Sequence, residues 1–482
     1  MRTAKIYLAF SGIFLFLTAC KKLVSVPEPI NTITSTEVFS TDAQANSAMV
    51  AVYSAMINSV QPINAYNNNF SEGLSTVLGG LSSDEFFLPD GPGNASYYPF
   101  NTNHVLVTSP VPGTLWQTAY WAIYGAGSVI EGIAASTAGS LHDSVRQELT
   151  GEAKFARAFS YFYLTNFFGD VPLALTIDFN QTANMARTPQ SKVYQQIIQD
   201  LKDAQAALPG DYSVGSGERI RPNKWAATAL LARVYLYTGD YTDAATQASA
   251  VIANAGQYSL VSDLNGVFLA NSNEAIWQLK QNTSGNLGTA TAEGAALLPN
   301  PLVTGIPSFA LSEQLTGAFE SGDQRYANWV GESTPGMYFA YKYKTGLSNY
   351  VVGGTATEYY MVLRLAEQYL IRAEAEANGA AGGSGAAIAD LNVIRQRAGL
   401  TALSTSLTQA QVITAVAHER QVELFGEWGH RWFDLKRTGQ AHNVLSQIPL
   451  KQPWQGDYQL LYPIPTSEIV ADGQLIQNPG YN

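Results

Sequence analysis

Apolar residues recur along most of this chain at alternating steps of three and four, the period of one face of an α-helix. Ala45, Met49, Val52 and Met56 form the first stripe, behind Thr41 and Gln44 at capping-box spacing. Trp116, Tyr120, Ile123, Gly127 and Ile130 form the second. A third helix is predicted from about Asp143 to Phe168. Its second half, 155–168, is aromatic on every side, which predicts burial all round. Pro189 opens a fourth, with Val193, Ile197, Leu201, Ala204 and Leu208 on one face and Pro209 beyond its end. Pro222 and Gly239 bracket a fifth, and a sixth follows from Thr242. Residues 275–279 and 338–343 read as extended, and helices resume over 360–378, 386–398 and 409–425.

The helices fall into pairs. Leu231, Ala232, Tyr235, Gly239, Tyr241, Ala244 and Ala248 stand at the spacings of a tetratricopeptide repeat. Small residues there let two antiparallel helices cross closely, and the tyrosines fill the groove. Ala366, Tyr369 and Ala373, then Ala387 and Leu391, read as a second copy with a Gly-rich insert. The fold class expected is mainly α, of tetratricopeptide-type pairs with long loop-rich inserts and a few short strands. One insert, 61–112, is rich in Asn, Gly, Pro and aromatics. Another, 281–307, has small residues and no aromatic. Inserts of this length are often functional.

Composition narrows the function. Of the 482 residues, 46% are hydrophobic, so the body folds around a core. Only 13% are charged, against roughly 25% in an average soluble protein, so hydrogen bonding outweighs electrostatic fields at the surface. The net charge of -11 argues against a nucleic-acid partner.

The N-terminus reads as an export signal. Arg2 and Lys5 precede an apolar run from Ile6 to Leu17, too short to span a bilayer comfortably. Leu17-Thr18-Ala19-Cys20 follows, and Cys20 is the sole cysteine. A small residue before a lone Cys in that place resembles a lipobox, so Cys20 is the expected lipidation site. The mature chain is then tethered to a membrane rather than spanning it. Three segments are expected: 1–20 as signal and lipobox, 21–215 as an N-terminal region, and 216–482 as a C-terminal region packed with it.

Several blocks, in order, resemble the SusD/RagB family of nutrient-binding outer-membrane lipoproteins. They are Glu152-Ala153-Lys154-Phe155-Ala156-Arg157-Ala158 with Phe168-Gly169-Asp170-Val171-Pro172, Arg221-Pro222-Asn223-Lys224-Trp225-Ala226-Ala227, and Val362-Leu363-Arg364-Leu365-Ala366-Glu367. Asn392-Val393-Ile394-Arg395, Glu419-Arg420 with Glu423-Leu424, Arg431-Trp432-Phe433-Asp434, Tyr462-Pro463-Ile464-Pro465 and Asn478-Pro479-Gly480-Tyr481 follow. The resemblance implies an oligosaccharide- or other nutrient-binding protein that carries out no chemistry and needs no cofactor. It implies a partner, a SusC-like TonB-dependent barrel over which the lipoprotein sits as a lid, and a lipid-anchored position on the outer membrane. Lys21 and Lys22 depart from the acidic residues that many surface-exported members carry after the lipidated Cys.

A sugar offers flat C–H faces and a ring of hydroxyls, met by aromatic faces and by Asn, Asp, Gln or Arg. The first insert supplies both. Tyr97 and Tyr98 are the expected stacking residues, with Asn101, Asn68 and Asp84 as hydrogen-bonding partners. Trp329, near Tyr326, is a second aromatic candidate, although Asp323 and Arg325 beside it read as a structural turn pair. The charged motif residues Arg157, Arg364, Glu367, Glu419, Arg420, Glu423, Arg431 and Asp434 lie in apolar helical surroundings and are expected to pair with one another or with neighbours.

Catalytic signatures are mostly missing. There is no Gly-x-Ser-x-Gly elbow and no Gly-x4-Gly-Lys phosphate loop. His418-Glu419 begins like a zinc-protease helix, but Val422 occupies the second histidine's position. A surface glycoside hydrolase, or a binder of a non-sugar nutrient such as a peptide, are the competing functions.

Overall fold

The computed structural model describes residues 35–58, 69–300, 305–334 and 336–481. Cys20, the export signal and Asn68 lie outside the described residues. Helices α1 (Asp42–Ile57), α2 (Ser75–Ser82), α3 (Pro110–Ala135), α4 (Asp143–Phe168) and α5 (Gln190–Ala207) form the first half. Helices α6 (Lys224–Thr238), α7 (Tyr241–Ile252), α8 (Leu365–Ala377), α9 (Gly383–Arg397), α10 (Gln409–Leu424) and α11 (His430–Arg437) form the second.

Four antiparallel pairs stack in series: α1 with α3, α4 with α5, α6 with α7, and α8 with α9. Each pair packs on the next, α3 on α4, α5 on α6 and α7 on α8, while α10 closes the last pair. The local signals act as expected. Thr41 accepts the Gln44 amide at the start of α1. Asn223 accepts the Trp225 and Ala226 amides at the start of α6, and Gly239 ends it in the left-handed conformation that glycine adopts without a Cβ penalty. The expected tetratricopeptide stack is the observed one.

Every residue of α4 from Phe155 to Phe168 is buried. This helix runs through the centre. Phe155 and Phe159 meet Trp277 edge-on, with ring centroids 4.9 and 5.3 Å apart. Trp428 stacks on Tyr360 at 4.7 Å. Each large apolar side chain so buried contributes about 1.5–3 kcal/mol.

One expected helix boundary is corrected. The chain from Tyr360 to Arg364 is a strand, not the start of a helix, and α8 begins at Leu365. This strand, β2, pairs antiparallel with β1 (Ala275–Leu279), with Leu279 opposite Tyr360. All five residues of each are buried, so neither strand shows the alternation that reveals a half-exposed one.

The charged motif residues are paired, all of them buried except the partly buried Arg431 and Asp434. Arg157 meets Asp200 at 2.8 Å, joining α4 to α5, and Arg233 meets Glu367 at 2.6 Å, joining α6 to α8. Arg364 meets Glu423 at 2.6 Å, Glu274 at 2.9 Å and Glu427 at 2.8 Å. Arg325 binds Asp323, Glu419 and Glu423, so the turn pair expected at 323–325 is part of the same cluster. Burial pushes the Glu423 carboxyl up, but Arg397, Arg364 and Arg325 more than offset it and hold it well below the usual carboxylate range.

A candidate ligand-binding face built from loops

The two irregular inserts meet on one side of the helical frame. Phe86 and Phe87 pair antiparallel with Leu311 and Ala310. Ser312 donates its hydroxyl to the Asp84 carbonyl and its amide to the Glu85 carbonyl. Tyr97 meets Phe309 edge-on at 5.3 Å. The stretch 282–291 is tied to 346–356 through the Thr289 amide and the Val351 carbonyl, 3.1 Å apart. The Asn282 amide reaches back to the Asn58 carboxamide at 2.6 Å, where the first insert begins.

The supporting layer beneath these loops is tightly packed. Helix α2 is buried along its whole length. A Cβ at Gly79 would collide with the backbone of Gly429, which has a φ of +73°. The Arg431 guanidinium forks onto both oxygens of Asp84 at 2.7 and 2.8 Å. The Lys451 ammonium donates to the carbonyls of Leu81 and Asn101 and to the Asn103 side chain. These contacts fix the ends of the turn that carries Tyr97 and Tyr98. Rigid support of this kind lets a loop present a ligand surface without an ordering penalty on binding.

Two carboxyls in this layer are shifted. Burial pushes Glu293 up to about 8, against the hydrogen bonds it accepts from Thr76 and Tyr360. Burial, aided by the neighbouring Asp84 charge, pushes Glu85 up to about 8 as well. Both are fully enclosed, so the neutral form avoids the cost of an unpaired buried charge.

The expected contact residues separate into three groups. Tyr97 and Tyr98 are half-buried at the rim. Asp84, Asn101 and Trp329 are inside the protein. Trp329 is 0% exposed, its indole N–H donates to the Leu264 carbonyl at 2.9 Å, and Phe268 packs on its ring. Asp84 is consumed by Arg431, and the Asn101 carboxamide is enclosed. These three present no face to solvent, which corrects the reading of them as direct contacts. Asn68 lies outside the described residues.

The inserts also differ from their reading as open loops. Residues 70–86 are buried, and among the described residues of this insert the surface is first reached at Phe87 and Pro89. In the second insert, Ala292–Leu297 is a short helix buried on all sides. Its apolar alanines and leucine fill space under the loop face rather than line a polar pocket. What sequence reasoning missed is Tyr350, exposed with Val351 and Val352 on the 346–356 loop. It also missed Trp121 and Tyr124, exposed on α3. The signal for the latter was present: they lie three apart on α3, beside the Trp116 and Ile123 stripe.

Comparison with known proteins agrees with this architecture. Residues 309–481 match the model of the SusD family, and residues 40–236 match a model described as starch-binding associating with outer membrane. A curated relative, SusD-like protein P2 of Formosa agariphila, is 29% identical over 418 residues, covering 76% of this chain and 80% of the relative. A solved structure of a laminarin binding SusD-like protein superposes with a TM-score of 0.76 at 26% identity, covering 92% of this chain and 100% of that one. Surface glycan-binding protein A from Bacteroides thetaiotaomicron, in complex with laminarihexaose, shares the fold with a TM-score of 0.75 at 21% identity, covering 91% and 99%. The two family matches take in the pairs α1 with α3, α4 with α5 and α8 with α9, and the motif blocks at both ends of the stack. The chain belongs to the SusD/RagB family.

Proposed function

We propose that this protein binds an oligo- or polysaccharide on its loop-bearing face and delivers it to a SusC-like TonB-dependent barrel, without cleaving it. The observation that carries the reading is the likeness to a laminarin-binding relative along that relative's whole length. The half-buried Tyr97 and Tyr98 at the rim support it, because such rings can offer a face to a pyranose while their edges stay packed. Lipidation at Cys20 places the protein on the outer membrane, facing the cell surface, beside that barrel. Regions 21–215 and 216–482 act as one unit. Buried pairs support this by crossing between them: Arg221 with Glu152, and Arg431 with Asp84.

The test is calorimetric titration of the mature protein with laminarin oligosaccharides and a panel of other glycans, with chromatography of the recovered sugar. Saturable binding and intact sugar support the proposal. Shortened sugar would identify a hydrolase instead, and binding of peptides alone would move the ligand to another class.

A further inference from the structure

A cavity of about 830 Å³ opens among the helices, between the C-terminal ends of α6 and α8, the middle of α10 and the length of α11. A volume of that size is in the range that holds a small organic ligand. None of the residues read as sugar contacts lines it. Its rim is open to solvent, since Thr238, Ile413, Thr414, Thr438 and Gln440 are exposed.

The charged side chains in its wall are matched to one another. Asp434 accepts the Arg420 fork at 2.7 and 3.1 Å and two bonds from Arg437 at 2.9 and 2.7 Å. Glu374 accepts from Arg437 at 2.8 Å and lies 3.5 Å from Arg420. Arg431, also in the wall, is held by Asp84. Each carboxylate is thus supplied with cations, and the capacity left over in the wall is that of donors.

Two such donors stand open. Arg420 is 3% exposed, and its terminal nitrogen Nη1 has no partner among the described residues. The Tyr237 hydroxyl, on the facing helix α6, is likewise enclosed and unpaired among them. Burial and the Asp434 charge hold this hydroxyl well above the usual tyrosine range, against the pull of Arg437 and Arg420, so it keeps its proton. The Arg437 guanidinium lies 5.1 Å over the Tyr237 ring and braces it.

Buried donors are nearly always satisfied, so two left open in one cavity call for an acceptor from outside the chain. A guanidinium has only hydrogens to give, and its strongest partner is an oxyanion. A carboxylate supplies two acceptor oxygens. Leu236, Val416, Leu435 and Val444 line other parts of the cavity and offer apolar contact to whatever the carboxylate is attached to.

We propose that this cavity binds a small carboxylic acid, with Arg420 and Tyr237 holding the carboxylate and the apolar walls holding its body. The site goes beyond the glycan reading and does not depend on it, because helices α6, α8, α10 and α11 build it and the loop face does not.

The test is calorimetric titration of the mature protein with benzoate, phenylacetate and hexanoate, each against its primary amide. Saturable binding of at least one acid, about tenfold or more tighter than its amide, is expected. Tyr237→Phe keeps the ring and removes the hydroxyl, and should weaken the acid about fivefold. The hydroxyl has no partner to lose, so the unliganded thermal midpoint of this variant should be unchanged or higher, whereas a purely structural role would lower it. Arg420→Gln should abolish binding of the acid, and Tyr237→Phe decides the matter if that variant does not fold. Absence of binding by every acid to folded parent protein would leave the cavity to water and overturn the proposal. Equal affinity for acid and amide would overturn it as well, and so would an acid that binds Tyr237→Phe as tightly as the parent.

Discussion

The Lys451 ammonium lies 2.5 Å from the Asn103 side-chain oxygen, and this contact ties the C-terminal region to the aromatic turn of the first insert. The same ammonium takes the Leu81 carbonyl at 2.7 Å and the Asn101 carbonyl at 3.1 Å. It is buried, so no water replaces it when it is removed by substitution with an apolar residue. Lys451→Met should leave these acceptors unsatisfied, at about 1–3 kcal/mol for each group left without a partner. A lower thermal midpoint and faster proteolytic cleavage between residues 88 and 109 are expected. Unchanged cleavage there would show that the turn holds itself.

Arg364 is predicted to be among the least replaceable residues in the fold. It is fully buried and faces Glu274, Glu423 and Glu427. Arg364→Met leaves those carboxylates short of a cation, and breaking a buried pair in this way costs about 3–5 kcal/mol. Arg364→Lys should recover little of the loss, because a single ammonium cannot reproduce the planar fork. Urea denaturation of both variants checks this.

Much of the frame was legible before the structure. The stripe from Val193 to Leu208 and the Leu231–Tyr241 spacing specify helices and their pairing directly, because helix periodicity is a local property. The burial of Arg157, Arg364 and Glu423 was legible too, since charges amid apolar helical residues must find partners. The loop face was less so. Trp329 and Asp84 carry chemistry suited to a sugar, yet long-range contacts with Leu264 and Arg431 draw them inward. Strand β2 was read as helix because burial on both faces removes its alternation. Contacts 65 residues apart at Trp329 and 347 apart at Asp84 decide these outcomes, and local pattern does not encode them.

The two tyrosines and the buried tryptophan should separate by assay. Tyr97→Ala with Tyr98→Ala should weaken glycan binding about tenfold or more, by analogy with the stacking of bases on aromatic side chains, while the circular dichroism spectrum stays the same. Trp329→Phe should do the reverse. It loses the bond to the Leu264 carbonyl and lowers stability by about 1–3 kcal/mol, with glycan affinity unchanged. Equal loss of affinity in both variants would point to general unfolding rather than a local site.

Glu293 gives the stability a pH dependence of known sign. Its folded value is about 8, above its ordinary 4.5, so between those values the unfolded chain has released a proton that the folded chain keeps. Its contribution to stability therefore falls as pH rises from about 4.5 to about 8, and is flat above that. The slope is at most about 1.4 kcal/mol per pH unit for one carboxyl. Glu293→Gln should remove this component, so the stability difference between variant and parent should grow in the variant's favour from pH 5 to pH 8. A difference that is constant over that range would mean that Glu293 does not titrate there.

Equilibrium binding of the mature protein to an array of defined glycans, read together with the mass of each sugar recovered afterwards, tests the central claim most directly. Saturable capture of at least one glycan, returned at its original mass, is predicted. Sugar returned as smaller fragments, or no capture of any glycan by folded protein, would contradict it.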